Sequence, residues 1–230
     1  MNKAAGASPN INLKIGIVAA LVIVALILVI VINAIVQRAD EPQAVIVDTA
    51  SGLAETVRDD SHRLDDGPNA TVTVVEFLDF ECEACGAFYP YVESLREKYA
   101  GDITYVVRYF PLPGHFNSTN AAVAVEAAAR QGQLEAMYDH MFQSQVEWGE
   151  AGESRAELFR TFAEEIGLDM DQYDADVADP ATLERVESDF ADGRALGISS
   201  TPTFFVNDEP VALTTFDDLD RAIAAALASE

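Results

Sequence analysis

The chain has 230 residues, enough for one domain of ordinary size plus a tail, and a formal net charge of −25. All 39 acidic residues and 12 of the 14 basic ones follow residue 36, because only Lys3 and Lys14 precede it. So acidic a surface argues against nucleic acid or anionic lipid as a partner and is most simply a strongly solvated face.

The N-terminal part of the chain predicts a membrane anchor. Residues 15–36 form an almost continuous apolar run, close to the ~20 residues that cross a bilayer. A signal peptide is the alternative, but its apolar core is usually only about 7–15 residues long. The segment Gln37–Asp40 that follows is a poor cleavage site. We therefore expect an uncleaved transmembrane signal anchor.

The charges that flank the apolar run predict its orientation. Lys3 and Lys14 lie on the N-terminal side without any acid, whereas Asp40 and Glu41 follow on the other side. The positive-inside rule then makes residues 1–14 cytoplasmic and places the part of the chain after residue 36 on the outer side of the cell membrane.

A domain follows after a short linker. We interpret residues 37–55 as the linker and residues 56–230 as the domain. The polar stretch 58–68 is expected to lead into the first core strand, with His62 as a surface residue.

The rest of the chain is organised around the stretch Thr71–Gly86. It begins as an apolar run that predicts a buried strand and ends in Cys82 and Cys85, the only two cysteines in the sequence. Apolar residues at helical spacing then predict a helix over residues 86–100, kinked by Pro90.

The Cys-x-x-Cys pair therefore lies at a strand-to-helix junction. The unpaired N–H groups and the positive dipole end of a helix N-terminus stabilise a thiolate. We predict Cys82 to be the nucleophile, with a lowered pKa, and Cys85 to be the buried resolving thiol.

Two other interpretations of the pair are weaker. A zinc site needs two more ligands, and the remaining candidates, His62, His115 and His140, lack the usual spacing. A structural disulfide across so short a loop would constrain the unfolded chain little. A redox-active dithiol is favoured, and we predict neither a metal nor a cofactor.

Acidic residues near the pair need separate explanations. Glu76 is flanked by Val and Phe within the strand, and burying it there is costly unless it has a function. Burial would raise its pKa and make it a candidate proton acceptor for Cys85. The alternative is a solvent-facing Glu76. Asp79 and Glu81 are expected near the strand end with partial exposure.

A long helical region separates the second predicted core strand, residues 103–110, from the return to the sheet. Helices are predicted over residues 118–146, broken at Gly132, and over 154–166, 168–177 and 181–196. His115 and His140, at the start of this region and within it, are expected to be structural or solvent-facing.

Three aromatic residues of this region leave two possibilities open. Phe142, Trp148 and Phe159 could line a groove for unfolded clients, but residues at such spacing more often form the core.

The C-terminal part of the chain predicts a hairpin and a last helix. Residues 203–206 form a strand that turns through 207–210 into a partner strand at 211–213. Residues 216–228 predict an amphipathic helix with Thr215 as a candidate cap.

The paired motifs resemble the thioredoxin superfamily. The strand ending in Phe-x-x-Phe-x-Cys-x-x-Cys, the helix after it and the late Thr-Pro-Thr-Phe-Phe-Val segment are similar to DsbA-like thiol:disulfide oxidoreductases, especially the membrane-tethered ones of Gram-positive bacteria. The similarity runs from about Val57 to the C-terminus. It implies an α/β thioredoxin fold with an all-helical subdomain inserted at about 117–197, preceded here by one N-terminal transmembrane helix.

The resemblance also implies roles for individual residues. Thr201 and Pro202 would form a cis peptide bond against the cysteine pair, with the Thr201 backbone open to an extended client segment. Glu76 would lie beneath the dithiol. The pair would introduce disulfides into exported proteins, and a quinone-linked membrane reoxidase of the DsbB or vitamin-K-epoxide-reductase type would reoxidise it.

The two residues between the cysteines put the direction of exchange in doubt. Glu83 and Ala84 depart from the best-known oxidase motif, and an acid beside Cys82 disfavours its thiolate. We expect a milder oxidant, with a client-specific reductase or isomerase as the alternative. A metal-binding chaperone that uses both cysteines and a histidine, and a passive tethered binding module, are less favoured.

Overall fold

The computed structural model describes residues 55–229. The predicted cytoplasmic segment 1–14, the anchor 15–36 and all but the last residue of the linker 37–55 lie outside these residues. Within residues 55–229, no helix combines the length and the apolar character that a bilayer crossing requires.

A mixed five-stranded sheet lies at the centre of the domain. The strand order is β1-β3-β2-β4-β5, in which β2 runs parallel to β3 and every other neighbouring pair is antiparallel. The apolar residues predicted to form the buried strand do so in β2, which is therefore covered on both edges and nearly all buried. The strands are β1 (His62–Asp66), β2 (Val72–Leu78), β3 (Ile103–Tyr109), β4 (Thr203–Val206) and β5 (Glu209–Pro210).

Seven helices accompany the sheet in the part of the chain from residue 55 to residue 229. Helix α1 follows β2 directly, α2 to α6 lie between β3 and β4 in the chain, and α7 comes last. This is the arrangement of a thioredoxin fold with a helical insertion. The helices are α1 (Glu83–Lys98), α2 (Ser118–Ala129), α3 (Leu134–Trp148), α4 (Ala156–Glu165), α5 (Met170–Ala178), α6 (Pro180–Ala195) and α7 (Asp217–Leu227).

Local signals explain two of the helix boundaries. The predicted break at Gly132 is confirmed, because this glycine has a φ of +73° between α2 and α3. Pro180 is the first residue of α6, where its missing N–H costs nothing, and the Asp179 side chain caps the helix by accepting from the Ala181 N–H at 3.0 Å.

The two faces of the sheet bury different side chains. Alternation along β2 sends Val74 and Leu78 into a large core that also holds both cysteines, and Val75 and Phe77 into a smaller core on the opposite face. Glu76 shares the face of Val74 and Leu78 by the same alternation. Glu76 therefore lies on the face of the sheet that packs against the core containing the Cys-x-x-Cys pair.

The aromatic residues that were candidates for a client groove belong to the core. Trp148 is fully buried and packs edge-to-face on Phe159 at 4.8 Å, and Phe142 stacks on Tyr89 of α1 at 5.2 Å. The groove interpretation was wrong and the core interpretation was right. The Phe142–Tyr89 contact holds α3 against the helix that carries the cysteines, and the Trp148–Phe159 contact holds α3 against α4.

The C-terminal hairpin differs from the prediction. Its second strand is Glu209–Pro210 rather than residues 211–213. Asn207 and Asp208 both have positive φ, at 49° and 66°, so they form a two-residue turn and pairing resumes at once between Val206 and Glu209.

The last helix is not capped by Thr215, contrary to the prediction. Helix α7 begins at Asp217, and the Asp218 carboxylate accepts from the backbone N–H groups of Thr214 and Thr215, both at 2.6 Å. A side chain inside the helix therefore fixes the two residues that lead into it.

A buried ionic cluster joins the first described residues of the domain to β3 and α6. Arg108 of β3 is fully buried and bonds Asp189 and Asp192 of α6, each at 2.5 Å. Its remaining donors reach the backbone carbonyls of Glu55 and Thr56 at 3.2 and 2.7 Å. The guanidinium thus joins three separate segments in a place where an unpaired charge would be costly.

Candidate active site

The two cysteines lie at the N-terminal end of α1. Cys82 is the residue before the helix and Cys85 lies within its first turn, both as free thiols. Cys82 retains 6% of its surface and Cys85 retains 0%. The Cys82 Sγ also lies 3.4 Å from the carbonyl oxygen of Thr201. The predicted position of the pair at the strand-to-helix junction is confirmed.

The surroundings of the two thiols shift their pKa values in opposite directions. A hydrogen bond from the Cys85 side chain is the largest cause that lowers the pKa of Cys82, to about 5, with help from the backbone N–H groups of Ala84 and Cys85. The Thr201 side chain lowers the Cys82 pKa further. Burial and the Cys82 charge raise the pKa of Cys85 well above its usual value. At neutral pH, Cys82 is therefore a thiolate and Cys85 a thiol.

Glu76 lies in the same core layer as the dithiol. It is 2% exposed, so the prediction of a buried acid is confirmed and the solvent-facing alternative is wrong. Burial raises its pKa to about 7, although the Tyr105 hydroxyl donates to Glu76 Oε2 at 2.7 Å. The Glu76 charge in turn raises the pKa of Cys85. A carboxyl that titrates near neutrality is suited to proton transfer.

The expectation of partial exposure for Asp79 and Glu81 was wrong. They are 2% and 1% exposed, because both carboxylates bind backbone N–H groups of the loops around the site. Asp79 accepts from the N–H groups of Glu81 and Leu112, each at 2.9 Å, and Glu81 accepts from Asn117 N at 2.5 Å. Such bonds repay the cost of burying a charge.

His115 is a site residue that the sequence analysis missed. Its Nδ1 lies 2.6 Å from Asp79 Oδ2. Burial opposes protonation of the ring, but the bond to Asp79 and the nearby charge of Cys82 together raise the pKa of His115. The topology offered a signal, because His115 follows β3, whose carboxyl end meets that of the parallel strand β2 at one edge of the sheet.

Thr201 and Pro202 close the other side of the site. They are joined by a cis peptide bond, as the resemblance implied, and β4 starts at the next residue. Thr203 pairs with Phe77 of β2, and this pairing brings the Thr201 carbonyl against Cys82. The sheet register thereby places a residue 119 positions away on the nucleophile.

A comparison with protein families agrees with this geometry. The family model described as thioredoxin matches residues 67–225. The chain belongs to this thioredoxin family. Among curated proteins it is similar to the Na(+)/H(+) antiporter NhaA 1 of Mycobacterium sp. (strain KMS), at 39% identity over 145 residues. That match covers 61% of this chain and 22% of the antiporter, so the chain spans about a fifth of the curated relative's length.

Solved structures narrow the kind of thioredoxin fold. A thioredoxin-like oxidoreductase from Silicibacter pomeroyi DSS-3 is 29% identical and superposes with a TM-score of 0.62, covering 74% of this chain and 93% of that one. Oxidised BdbD from Bacillus subtilis has the same fold, with a TM-score of 0.62, 21% identity and coverage of 73% and 93%. The identification of a member of the thioredoxin superfamily is confirmed, and these structures share the fold that the DsbA-like resemblance implied.

Two residues, Glu83 and Ala84, lie between the cysteines. Glu83 and Ala84 are exposed at the start of α1, and backbone hydrogen bonding there lowers the pKa of Glu83. The side chain of Glu150 lowers the pKa of Glu83 further. The tuning of the pair by Glu83 and Ala84 stays a prediction. No cluster of three or more ligating side chains within residues 55–229 could hold a metal ion.

Proposed function

We propose that this protein is an extracytoplasmic thiol:disulfide oxidoreductase that introduces disulfides into exported proteins through Cys82 and Cys85. The observation that carries the proposal is the division of acidity within one helical turn. Cys82 has a pKa of about 5, Cys85 has a pKa raised well above its usual value, and a carboxyl with a pKa of about 7 lies in the same layer.

The reaction begins with the pair as a disulfide. A client thiolate attacks Cys82 Sγ, the less buried of the two sulfurs, and Cys85 leaves. Because the Cys85 thiolate is unfavourable in its buried position, it takes a proton, which Glu76 supplies from its neutral form. The product is a mixed disulfide between Cys82 and the client.

A second client thiolate completes the transfer. It attacks the client sulfur of the mixed disulfide, and Cys82 leaves as a thiolate that its low pKa makes a good leaving group. The client gains a disulfide and the pair gains two electrons. Thr201 and Pro202 position the extended client segment against Cys82 during both steps.

The reverse direction is the second candidate. Glu83 adds a negative charge one residue from Cys82, which favours a milder oxidant and a client-specific reductase or isomerase. Protonation of His115, whose pKa is raised, opposes this effect, because a positive charge near Cys82 stabilises its thiolate. The low pKa of Cys82 makes us prefer disulfide donation. A metal-binding chaperone has no comparable support.

The proposed place of action is the outer face of a cell membrane, with a single-pass anchor at residues 15–36 and a cytoplasmic N-terminus. The apolar run and its flanking charges support this placement. The likeness to a segment of proteins named as Na(+)/H(+) antiporters is in keeping with a domain at a membrane. We propose a quinone-linked membrane reoxidase of the DsbB or vitamin-K-epoxide-reductase type as the partner that restores the disulfide.

The decisive experiment is the reduction potential of the pair. The full-length protein would be equilibrated with glutathione buffers of graded ratio, and the thiols then trapped and counted. A potential well above that of the glutathione couple is expected for a disulfide donor. A potential near that of thioredoxin would overturn the oxidase proposal in favour of a reductase. A pair that never exchanges with glutathione would refute both directions.

A further inference from the structure

One polar side chain of the helical insertion reaches the active-site turn. Gln145 of α3 is buried, and its Nε2 donates to the carbonyl oxygens of Phe80 at 2.7 Å and of Cys82 at 2.8 Å. These two carbonyls flank the start of α1. A single amide group from the insertion therefore holds both peptide units that lead into the Cys-x-x-Cys turn.

The glycine after the pair makes this approach possible. A Cβ atom placed on Gly86 would lie 2.0 Å from Gln145 Oε1 and 2.8 Å from its Cδ, far inside contact distance. Gly86 is an interior residue of α1, where a glycine is usually less favourable than an alanine. Any larger residue here would displace the Gln145 amide.

We propose that Gln145 is a positioning residue for the redox reaction, which sets the reactivity of Cys82 by fixing the carbonyls of Phe80 and Cys82. The Cys82 carbonyl also accepts the Gly86 N–H at 3.1 Å, so Gln145 reinforces the first hydrogen bond of α1. When this carbonyl is held, the following peptide units have one orientation.

That orientation controls the donors that face the Cys82 sulfur. The backbone N–H groups of Ala84 and Cys85 are among the groups that stabilise its thiolate. They belong to the peptide units immediately after the carbonyl that Gln145 holds. Without Gln145, the turn loosens and these N–H groups lose part of their alignment. The reduced form is then less stabilised, and the pair becomes a weaker oxidant.

This inference rests on the proposed redox function, and the test separates the two. Gln145→Met keeps the side-chain volume but removes the amide donor. The expected result is a higher Cys82 pKa and a roughly three- to tenfold smaller equilibrium constant for oxidation of glutathione, since a net hydrogen bond is worth about 0.5–1.5 kcal/mol. A tenfold change corresponds to about 30 mV in a two-electron couple.

Gln143→Met is the matched control on the same helix. Gln143 is exposed and its Nε2 bonds the Tyr89 hydroxyl at 3.1 Å, away from the carbonyls of the turn. This variant should keep the Cys82 pKa and the equilibrium constant of the unaltered protein. Equal shifts in both variants would show an unspecific effect of α3 and would overturn the assignment.

A double-mutant cycle supplies a second test, independent of how well Gln145→Met folds. Gly86→Ala should raise the Cys82 pKa, because the new methyl group displaces the Gln145 amide. In the Gln145→Ala background, Gly86→Ala should have no further effect, since no amide is left to displace. Additive effects, or unchanged Cys82 pKa values in every variant, would refute the proposal.

The Cys82 titration is informative even if the proposed function fails. Should the unaltered protein not exchange with glutathione, the redox function is wrong, and the pKa of Cys82 in the same variants still decides the role of Gln145. Should exchange occur while Gln145→Met keeps the original pKa and equilibrium constant, the redox function stands and the role of Gln145 is wrong.

Discussion

The Asp79 carboxylate lies 2.6 Å from Nδ1 of His115, although the two residues are 36 positions apart in the chain. Asp79 follows the central strand β2, and His115 follows its parallel neighbour β3. The pair therefore spans the two loops at the edge of the sheet where Cys82 lies. It places an ionisable ring near a thiolate in a chain that has no histidine between its cysteines.

Removal of the His115 charge should make the thiolate form of Cys82 less favourable. We expect His115→Gln to raise the pKa of Cys82 by up to about one unit, because a nearby positive charge no longer favours the anion. The pKa of His115 is raised above 6.5, so the effect should be largest below the His115 pKa and fade as pH rises through it. Ultraviolet absorbance of the thiolate across pH measures both.

His140→Gln is the control for this prediction. His140 lies on α3 beside the exposed Glu165, with its Nε2 3.3 Å from the carboxylate. Its replacement should leave the Cys82 titration unchanged. An identical titration curve for His115→Gln would show that the ring does not influence the nucleophile.

The buried Glu76 should give the protein a characteristic pH dependence of stability. Burial raises its pKa from 4.5 to about 7, so the folded state disfavours the charged form. The cost is absent below the unfolded pKa, grows between the two values and is complete above the folded pKa. Glu76→Gln should therefore increase the free energy of unfolding above neutral pH, by roughly 3 kcal/mol at most.

Denaturant unfolding at several pH values tests this sign. The gain in the free energy of unfolding should vanish at acidic pH, where the carboxyl of Glu76 and the amide that replaces it are both neutral. Glu157→Gln, at an exposed position on α4, is the control and should show no such trend. A loss of stability in Glu76→Gln at high pH would contradict the interpretation.

Glu76→Gln should also slow the redox reaction. Glutamine cannot supply a proton. Cys85 therefore has no proton donor when it leaves the disulfide, and this step becomes less favourable. We expect the rate of mixed-disulfide formation to fall about tenfold or more and to lose its titration near neutrality, as the usual contribution of general acid–base catalysis is larger still. Stopped-flow mixing with a reduced client peptide follows the rate, and an unchanged pH profile would exclude Glu76 as the proton donor.

Two cysteine variants should separate the roles of the sulfurs. Cys82→Ser should abolish exchange, because the more exposed sulfur is lost. Cys85→Ser should retain attack through Cys82 and accumulate a mixed disulfide, since the resolving thiol is missing. Mass spectrometry after incubation with an oxidised peptide detects the adduct. An adduct on Cys85 in the Cys82→Ser variant, formed at a similar rate, would reverse the assignment.

Glu83, between the cysteines, should make the cysteine pair a milder oxidant. Glu83→Gln removes an exposed charge one residue from Cys82, so we expect a modest gain, about twofold, in the equilibrium constant for oxidising glutathione. High salt should diminish the gain by screening. Glu97→Gln, near the far end of α1, is the matched control. A decrease after Glu83→Gln would show that Glu83 supports the reduced form.

Much of the site could be predicted because its signals are local. The apolar run, the cysteine spacing and Glu76 within that run all lie inside a few residues of sequence. The partners of the site come from further away. Gln145 and His115 reach it only because the insertion and the β2–β3 pairing bring distant loops together, and single-sequence patterns do not encode those distances.

Three errors in the prediction, those at Asp79, Glu81 and His62, have a common physical origin. Asp79 and Glu81 were expected to be partly exposed because they are charged, but they are buried since they bind backbone N–H groups of neighbouring loops. His62, expected at the surface, is half-buried in β1 with its Nε2 2.5 Å from Glu126. In each case a tertiary hydrogen bond outweighs the average preference of the residue type.

The Arg108 cluster has a mechanical consequence if the domain is held by the proposed N-terminal anchor. A pull directed along the chain toward the N-terminus first loads the bonds from Arg108 to the carbonyls of Glu55 and Thr56. Asp189 and Asp192 pass this load into α6, on the face of the sheet opposite the dithiol core. Such a load is thus carried to the face of the sheet opposite the dithiol core, rather than to the contact between Cys82 and Thr201.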